Sequence, residues 1–231
     1  STGATATVKY RADGSIERID VNTPYIDLTW NEAAGDIISN DGPMIFAGDP
    51  NVLKFGVFFN PLEMPPADAW EYQTFGAWAD ARPIAAGAVG ALSVGTPTPG
   101  DAIPLLGNAT FTGHSAGIYT ISSGTAVFVT ESAVTVDANF LDRELAFRTT
   151  GTTLLNIEDG KQWGDSQVGP PPTLDITSVG PLRYDPGVNR FTGDVTAPGL
   201  TGLSGKTQGQ FYGPAAQELG GVFSLTGPEN L

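Results

Sequence analysis

One histidine, His114, and no cysteine stand in 231 residues, and that count already narrows the chemistry open to the chain. Without thiols there is no disulfide, no cysteine nucleophile, no thiolate zinc site and no iron–sulfur cluster. A multi-histidine metal site is excluded in the same way. One histidine can still hold haem iron, because a single axial ligand suffices. His114 stands in Phe111-Thr112-Gly113-His114-Ser115-Ala116-Gly117, which reads as a turn between two strands, and a solvated turn histidine is the plain alternative. Ser115 beside it forms no catalytic pair with it. Neighbours along a strand point to opposite faces, and no third group completes a triad. Met44, Met64 and the tyrosines are the other side chains able to ligate haem iron; Tyr212 reads instead as a packing residue with a satisfied hydroxyl. No cofactor is expected beyond this haem option.

Carboxylates are more plentiful. The densest spots are Glu158-Asp159-Gly160 with Asp165, and Asp36 with Asp41. Ca²⁺ takes about 6–8 oxygens, but neither spot has the spacing of an EF-hand loop, and Asp-Gly is foremost a turn signal. A glycosidase-type pair depends on a carboxyl separation that sequence does not reveal. No P-loop, dinucleotide fingerprint, zinc-protease helix or Gly-x-Ser-x-Gly elbow occurs. The expectation is therefore a protein that binds rather than catalyses, without a resident metal.

The densest aromatic set is Trp70, Tyr72, Phe75 and Trp78, beside Pro61, Pro65 and Pro66 and shortly after Phe55, Phe58 and Phe59. Aromatics on loops make binding hot spots; the same residues on strands make a core. Phe75 and Trp78 read as core. Met64 and Trp70 belong to a proline-rich loop over residues 60–69 and its exit, where both readings stand. A second long polar loop, residues 158–172, carries Trp163. Met64, Trp70, Tyr72 and Trp163 are thus the ligand-binding candidates, with His114 as the haem-ligand candidate.

The charge balance constrains the partner. Acidic residues outnumber basic ones 25 to 11, a net charge of −14. Nucleic acid and anionic membrane surfaces both demand an excess of Lys and Arg, so neither is expected. The longest weakly apolar stretch, residues 83–94, contains two glycines and is too short to span a bilayer. The opening Ser1-Thr2-Gly3 shows no signal peptide and reads as a mature or trimmed form, which leaves export open.

The elements that must position these residues read as strands throughout. Ala6, Val8 and Tyr10 alternate with polar neighbours, Asp13-Gly14 supplies a hairpin turn, and Ile16, Ile19 and Val21 follow. Residues 134–140 alternate most clearly, with Val134, Val136, Ala138 and Phe140 on one face. The run Gly95-Thr96-Pro97-Thr98-Pro99-Gly100 through Pro104 cannot hold a strand or a long helix and reads as a connector and domain boundary, with one helical turn after Pro99. Beyond it, eight or nine short, evenly spaced strands form the pattern of an up-and-down barrel. Near the end, Gly213-Pro214 predicts a break followed by one helical turn over residues 215–219, with Gly220 as its left-handed stop.

The stretch from Gly209 to Phe223, Gly-Gln-Phe-Tyr-Gly-Pro-Ala-Ala-Gln-Glu-Leu-Gly-Gly-Val-Phe, resembles the last barrel hairpin of transferrin-binding protein B-like surface lipoproteins. Thr96 through Pro104 and Gly107-Asn108-Ala109-Thr110-Phe111-Thr112-Gly113 look like the lead-in and first barrel strand of environmental members. The resemblance implies an all-β fold: residues 1–104 a β-rich handle-like domain, residues 105–231 a roughly eight-stranded antiparallel up-and-down β-barrel. It implies a non-enzymatic bacterial protein, at the outer-membrane surface or secreted, that captures an iron source such as haem or a protein partner through its loops. The chain has room for one handle–barrel lobe where transferrin-binding members usually have two, and no counterpart of their lipid-bearing cysteine. Low charge content and abundant Thr, Gly and Ala leave an alternative of another class, the subunit of an extracellular fibre or surface layer that self-assembles by strand addition.

Overall fold

The computed structural model describes residues 5–24, 26–39, 44–49, 51, 54–59, 70–80, 88–120, 127–156, 162, 173–200 and 202–227. They form two compact units, Ser1–Val94 and Gly95–Leu231. Both are built of strands. Among the described residues helical geometry is limited to the 3-10 turns Glu32–Ala34 and Gly100–Ala102, and no helix is long and apolar enough to cross a membrane.

In the first unit, β1 (Thr5–Tyr10), β2 (Ile16–Asn22) and β3 (Asp27–Asn31) pair in chain order as one antiparallel sheet. The expected hairpin joins the first two. Asp13 Oδ1 accepts from the Ser15 amide at 3.0 Å and its hydroxyl at 2.7 Å, and Gly14 takes φ 88°, a conformation that costs glycine little. A second sheet follows the order β4 (Ile37–Ser39), β5 (Met44–Gly48), β6 (Lys54–Phe59), β7 (Gln73–Asp80), β8 (Ala88–Gly95). Side-chain alternation sends one face of each sheet into a common core around Ile19, Trp30, Ile45 and Phe58. Trp30 is fully buried, edge-on to Phe58 with ring centroids 5.5 Å apart. Lys54 reaches this core's rim. Its ammonium lies 3.1 Å from Asp36 Oδ2, donates to the Thr29 carbonyl and stands 5.8 Å from the Trp30 ring centre.

The second unit is a meander: β9 (Asn108–Thr120), β10 (Val127–Asn139), β11 (Glu144–Asn156), β12 (Thr177–Ser178), β13 (Leu182–Arg183), β14 (Phe191–Thr196), β15 (Ser204–Tyr212) and β16 (Glu218–Thr226). All pairings are antiparallel, and β12 and β13 together fill the single position between β11 and β14. The all-β class and the count of eight strands agree with the sequence. The sheet curls far enough that Phe147 on β11 meets Phe223 on β16, ring centroids 5.9 Å apart. The expected face of β10 is the inward one: Val136, Ala138 and Phe140 are buried with Leu145, Leu182 and Phe211. Closure is the difference. Among the described residues no ladder joins β16 to β9, so the barrel is open along one seam.

Two local expectations change. The turn expected at His114 does not form: β9 runs through it without a break, His114 opposite Ala133 on β10, because a continuous ladder on β10 holds the glycines on either side extended. The helical turn expected after Pro214 is a tight turn instead. Gly213 and Ala216 take φ 84° and 58°, β16 starts at Glu218, and Leu219 packs onto the core as a strand residue. The compact units divide at Val94/Gly95, at the start of the connector whose end, 104/105, is the expected domain boundary. The connector is part of the second unit because its backbone is hydrogen-bonded there: Thr98 N–H to Phe211 O at 3.0 Å, and Gly213 N–H to Thr96 O at 2.9 Å.

Candidate functional site

The described side chains singled out by chemistry fall on two stretches of chain, one just before β7 and one on β9. Met64 and Trp163 lie outside the described residues. Trp70 and Tyr72 lie just before β7, both half-buried. Trp70 contacts Phe75 and Phe59 edge-on, with centroid distances of 5.3 and 5.9 Å, and Phe59 stacks on Phe75 at 4.6 Å. Strand geometry explains this grouping. Phe58 and Phe59 are adjacent on β6 and point to opposite faces, Phe58 into the first unit's core with Trp30, Phe59 to the other face with Phe75 and Trp70. Trp70 is therefore anchored on a rigid aromatic pair at the exit of the residue 60–69 segment. A half-buried tryptophan so held presents contact area with little entropy left to lose.

His114 is exposed on the outer face of β9, midway along the strand. The outward residues around it are Thr112, Ala116, Glu131, Ala133 and Thr135. Among the described residues this largely polar strip supplies no apolar walls for a macrocycle beside His114. Ser115 turns inward as expected and shares a 2.6 Å hydrogen bond with Ser132. Among the described residues no group of three or more His, Asp and Glu converges on a possible metal position.

The outer face of β9–β11 carries a shallow depression of about 450 Å³ lined by Asn108, Thr110, Asp137, Glu144 and Pro181 among others. Its carboxylates are engaged. Asp137 accepts from Arg148 at 2.8 Å and from Thr110 at 2.7 Å, bonds that hold its carboxyl below the usual range. Glu144 lies 2.5 Å from Arg183.

One positioning residue escaped the sequence reading. Asn189 donates to Thr98 O at 2.7 Å and Phe211 O at 2.8 Å, and accepts from Phe211 N–H at 2.8 Å. It ties the connector to the Phe211-Tyr212-Gly213 hairpin. Its only signal was an asparagine in a loop, where a side-chain amide can replace missing backbone partners. Next to it, Gly100 passes so close to Gly187 that a Cβ there would sit 1.9 Å from the Gly187 carbonyl oxygen. Inside, Tyr184 is buried, its hydroxyl without a hydrogen bond among the described residues; burial raises its pKa.

Residues 185–230 match the family described as the C-lobe and N-lobe beta barrels of Tf-binding protein B. No curated protein matches the chain. Among solved structures, a tryptophan-to-alanine mutant of the vaccine antigen Transferrin Binding Protein B from Haemophilus parasuis Hp5 matches with a TM-score of 0.53 and 16% identity, over 98% of this chain and 42% of that one. A double mutant of the same antigen matches with a TM-score of 0.48 and 18% identity, over 85% of this chain and 35% of that one. The chain thus spans less than half the length of these proteins. It is similar to transferrin-binding protein B in sequence over its last barrel strands and in fold over nearly its whole length.

Proposed function

We propose that this chain is a non-enzymatic capture protein of the bacterial cell surface or its surroundings. It binds a protein or a small iron-containing ligand through loops carried on rigid β units. The observation that carries the reading is the match of residues 185–230 to a barrel family named for transferrin binding. The anchored Trp70–Phe59–Phe75 cluster supports the placing of a contact surface at residues 60–72. Met64, Trp70 and Tyr72 are its contact residues, and Trp163 serves a second loop. The −14 net charge favours a partner with a basic face and a salt-sensitive association rate.

Biolayer interferometry against iron-loaded transferrin, with a parallel haemin titration read at the Soret band, tests the iron-source reading. Binding of transferrin that weakens about tenfold or more in Trp70→Ala, the loss expected of an aromatic hot spot, supports it. Absence of binding to both at 10 μM, a test concentration ordinary for weak capture, refutes it.

A further inference from the structure

The triplet Asn-x-Ser/Thr, with x other than proline, occurs once in the chain, as Asn108-Ala109-Thr110. It is the acceptor triplet of N-linked glycosylation. A triplet buried in a core carries no sugar, and the structure places this one in the open. Asn108 opens β9 directly after Gly107, whose φ of 91° turns the chain into the strand. Asn108 and Thr110 are both exposed, on the outer face that a strand gives to alternate residues. The Asn108 side chain makes no hydrogen bond among the described residues. The shallow depression of the outer face reaches it and leaves room beside it.

A second observation falls on the same spot. Leu105, Leu106 and Leu141 are 78%, 71% and 59% exposed. Backbone pairing gathers them. Phe140 N–H donates to Gly107 O at 3.0 Å, and Asn139 lies opposite Asn108, so Leu106 stands two residues before Asn108 and Leu141 two residues past its partner. Residues 95–108, 139–144, 183–191 and 212–218 build this end of the unit, where β9, β11, β14 and β16 begin, and all of them are described. The leucines stand uncovered among them. A single exposed leucine is ordinary, but three together call for a cover.

We propose that Asn108 carries an N-linked glycan whose first sugars lie over Leu105, Leu106 and Leu141. A pyranose ring has an apolar face of C–H groups and a rim of hydroxyls, so it shields leucine from water while its own polar groups stay solvated. The donor is a sugar held as a diphosphate ester, on a nucleotide or a lipid. The Asn108 amide nitrogen bonds to the anomeric carbon and gives up one proton. The bond from that carbon to the diphosphate oxygen breaks, and its electron pair leaves with the diphosphate. A glycosyltransferase of the producing cell supplies the base and reads the Thr110 hydroxyl. In the folded chain that hydroxyl donates to Asp137 at 2.7 Å, and the triplet is paired with β10, so transfer precedes the pairing of β9. The site is separate from the residue 60–72 surface, so either assignment can fail alone.

Mass spectrometry tests this on protein purified from the cells that naturally make it, beside the same chain from a host without protein glycosylation. The natural protein should be heavier by at least one hexose or N-acetylhexosamine residue, and peptide fragmentation should place that mass on Asn108. In the native cells Asn108→Gln and Thr110→Ala should abolish the added mass, while Thr110→Ser should keep it. The unmodified chain should bind the dye anilinonaphthalene sulfonate about twofold or more above the glycosylated protein, and Leu105→Ser with Leu106→Ser should lower its signal to the same degree. Three results overturn the proposal: a natural protein of unmodified mass, a sugar that persists in Thr110→Ala, or equal dye binding by the two forms.

Discussion

Replacing Asn189 by alanine removes three hydrogen bonds at one stroke, and the structure says what each is worth. The amide donates to Thr98 O at 2.7 Å and Phe211 O at 2.8 Å and accepts from Phe211 N–H at 2.8 Å. Thr98 and Phe211 are 2% and 0% exposed, so water cannot take over. Phe211 O keeps the bond from Thr98 N–H at 3.0 Å. The loss therefore falls on the Phe211 amide and the Thr98 carbonyl. A buried group left unpaired costs about 1–3 kcal/mol, so Asn189→Ala should cost about 3 kcal/mol in all. Urea titration reads this in two channels. Three of the four tryptophans, Trp30, Trp70 and Trp78, belong to Ser1–Val94, so their fluorescence follows mainly the first unit, while far-UV circular dichroism follows both. The circular dichroism transition should shift with the fluorescence transition unmoved. Asn189→Asp is the sharper probe. It keeps the acceptor for Phe211 N–H but points a carboxylate at two carbonyl oxygens, so it should cost more than alanine at pH 7. That carboxylate has its folded pKa raised above the unfolded ~3.9. Its penalty is therefore full above the folded pKa and lifts as pH falls through it. A cost under about 1 kcal/mol for alanine, or an aspartate variant milder than alanine at neutral pH, would refute the clamp.

Other perturbations have comparably definite outcomes. Phe211 is fully buried and its ring meets those of Tyr184, Phe140, Phe111 and Phe191 at 5.6 to 6.1 Å; Phe211→Ala should destabilise the second unit by about 4 kcal/mol in denaturant titration. Lys54→Met strands Asp36, whose carboxylate lies 3.1 Å from the ammonium with both side chains under 15% exposed. It should cost about 3 kcal/mol, and adding Asp36→Asn should recover most of that loss in the fluorescence transition. Among the described residues five carboxyls are held below their ordinary range by hydrogen bonds: Asp13 by Ser15, Glu17 by Lys9, Asp20 by Arg18, Asp137 by Arg148 and Asp175, against its desolvation, by Thr152 and Gly151. Depressed folded pKa values contribute stability that is present above the unfolded values and lost as pH falls through the folded ones. Melting temperature should thus hold from pH 7 to about 5 and fall below about pH 4; a melting temperature that rises below pH 4 would contradict these pairings.

Much of the fold was legible because strand periodicity and turn chemistry are local. Asp13-Gly14 needs nothing beyond its neighbours to turn the chain, and the alternation of Val134, Val136, Ala138 and Phe140 names the buried face of β10. The helical turn after Pro99 forms at Gly100–Ala102. The barrel hairpin phrase identified the architecture from residues 209–223. Failures came where a distant strand decides. Gly113, His114 and Ser115 have the composition of a turn, but thirteen consecutive pairings with β10 hold them in one strand. β12 and β13 are two residues each, too short for any period to register.

Of the candidate site, the sequence by itself determined the inventory: one histidine, no thiol, an acidic surface and a small set of tryptophans, and hence what the chain cannot use for chemistry. It could not place them. That Trp70 rests on Phe59 while Phe58 enters the core depends on how β5, β6 and β7 lie in register, and that His114 faces outward depends on the parity of β9. Asn189 is an ordinary loop residue until the connector, 91 positions earlier, is laid beside it. The order of the second sheet is the extreme case. No residue encodes it. Two short segments, β12 and β13, share one place in the sheet, so an even strand count becomes an odd number of positions, and only assembled backbone geometry can count those.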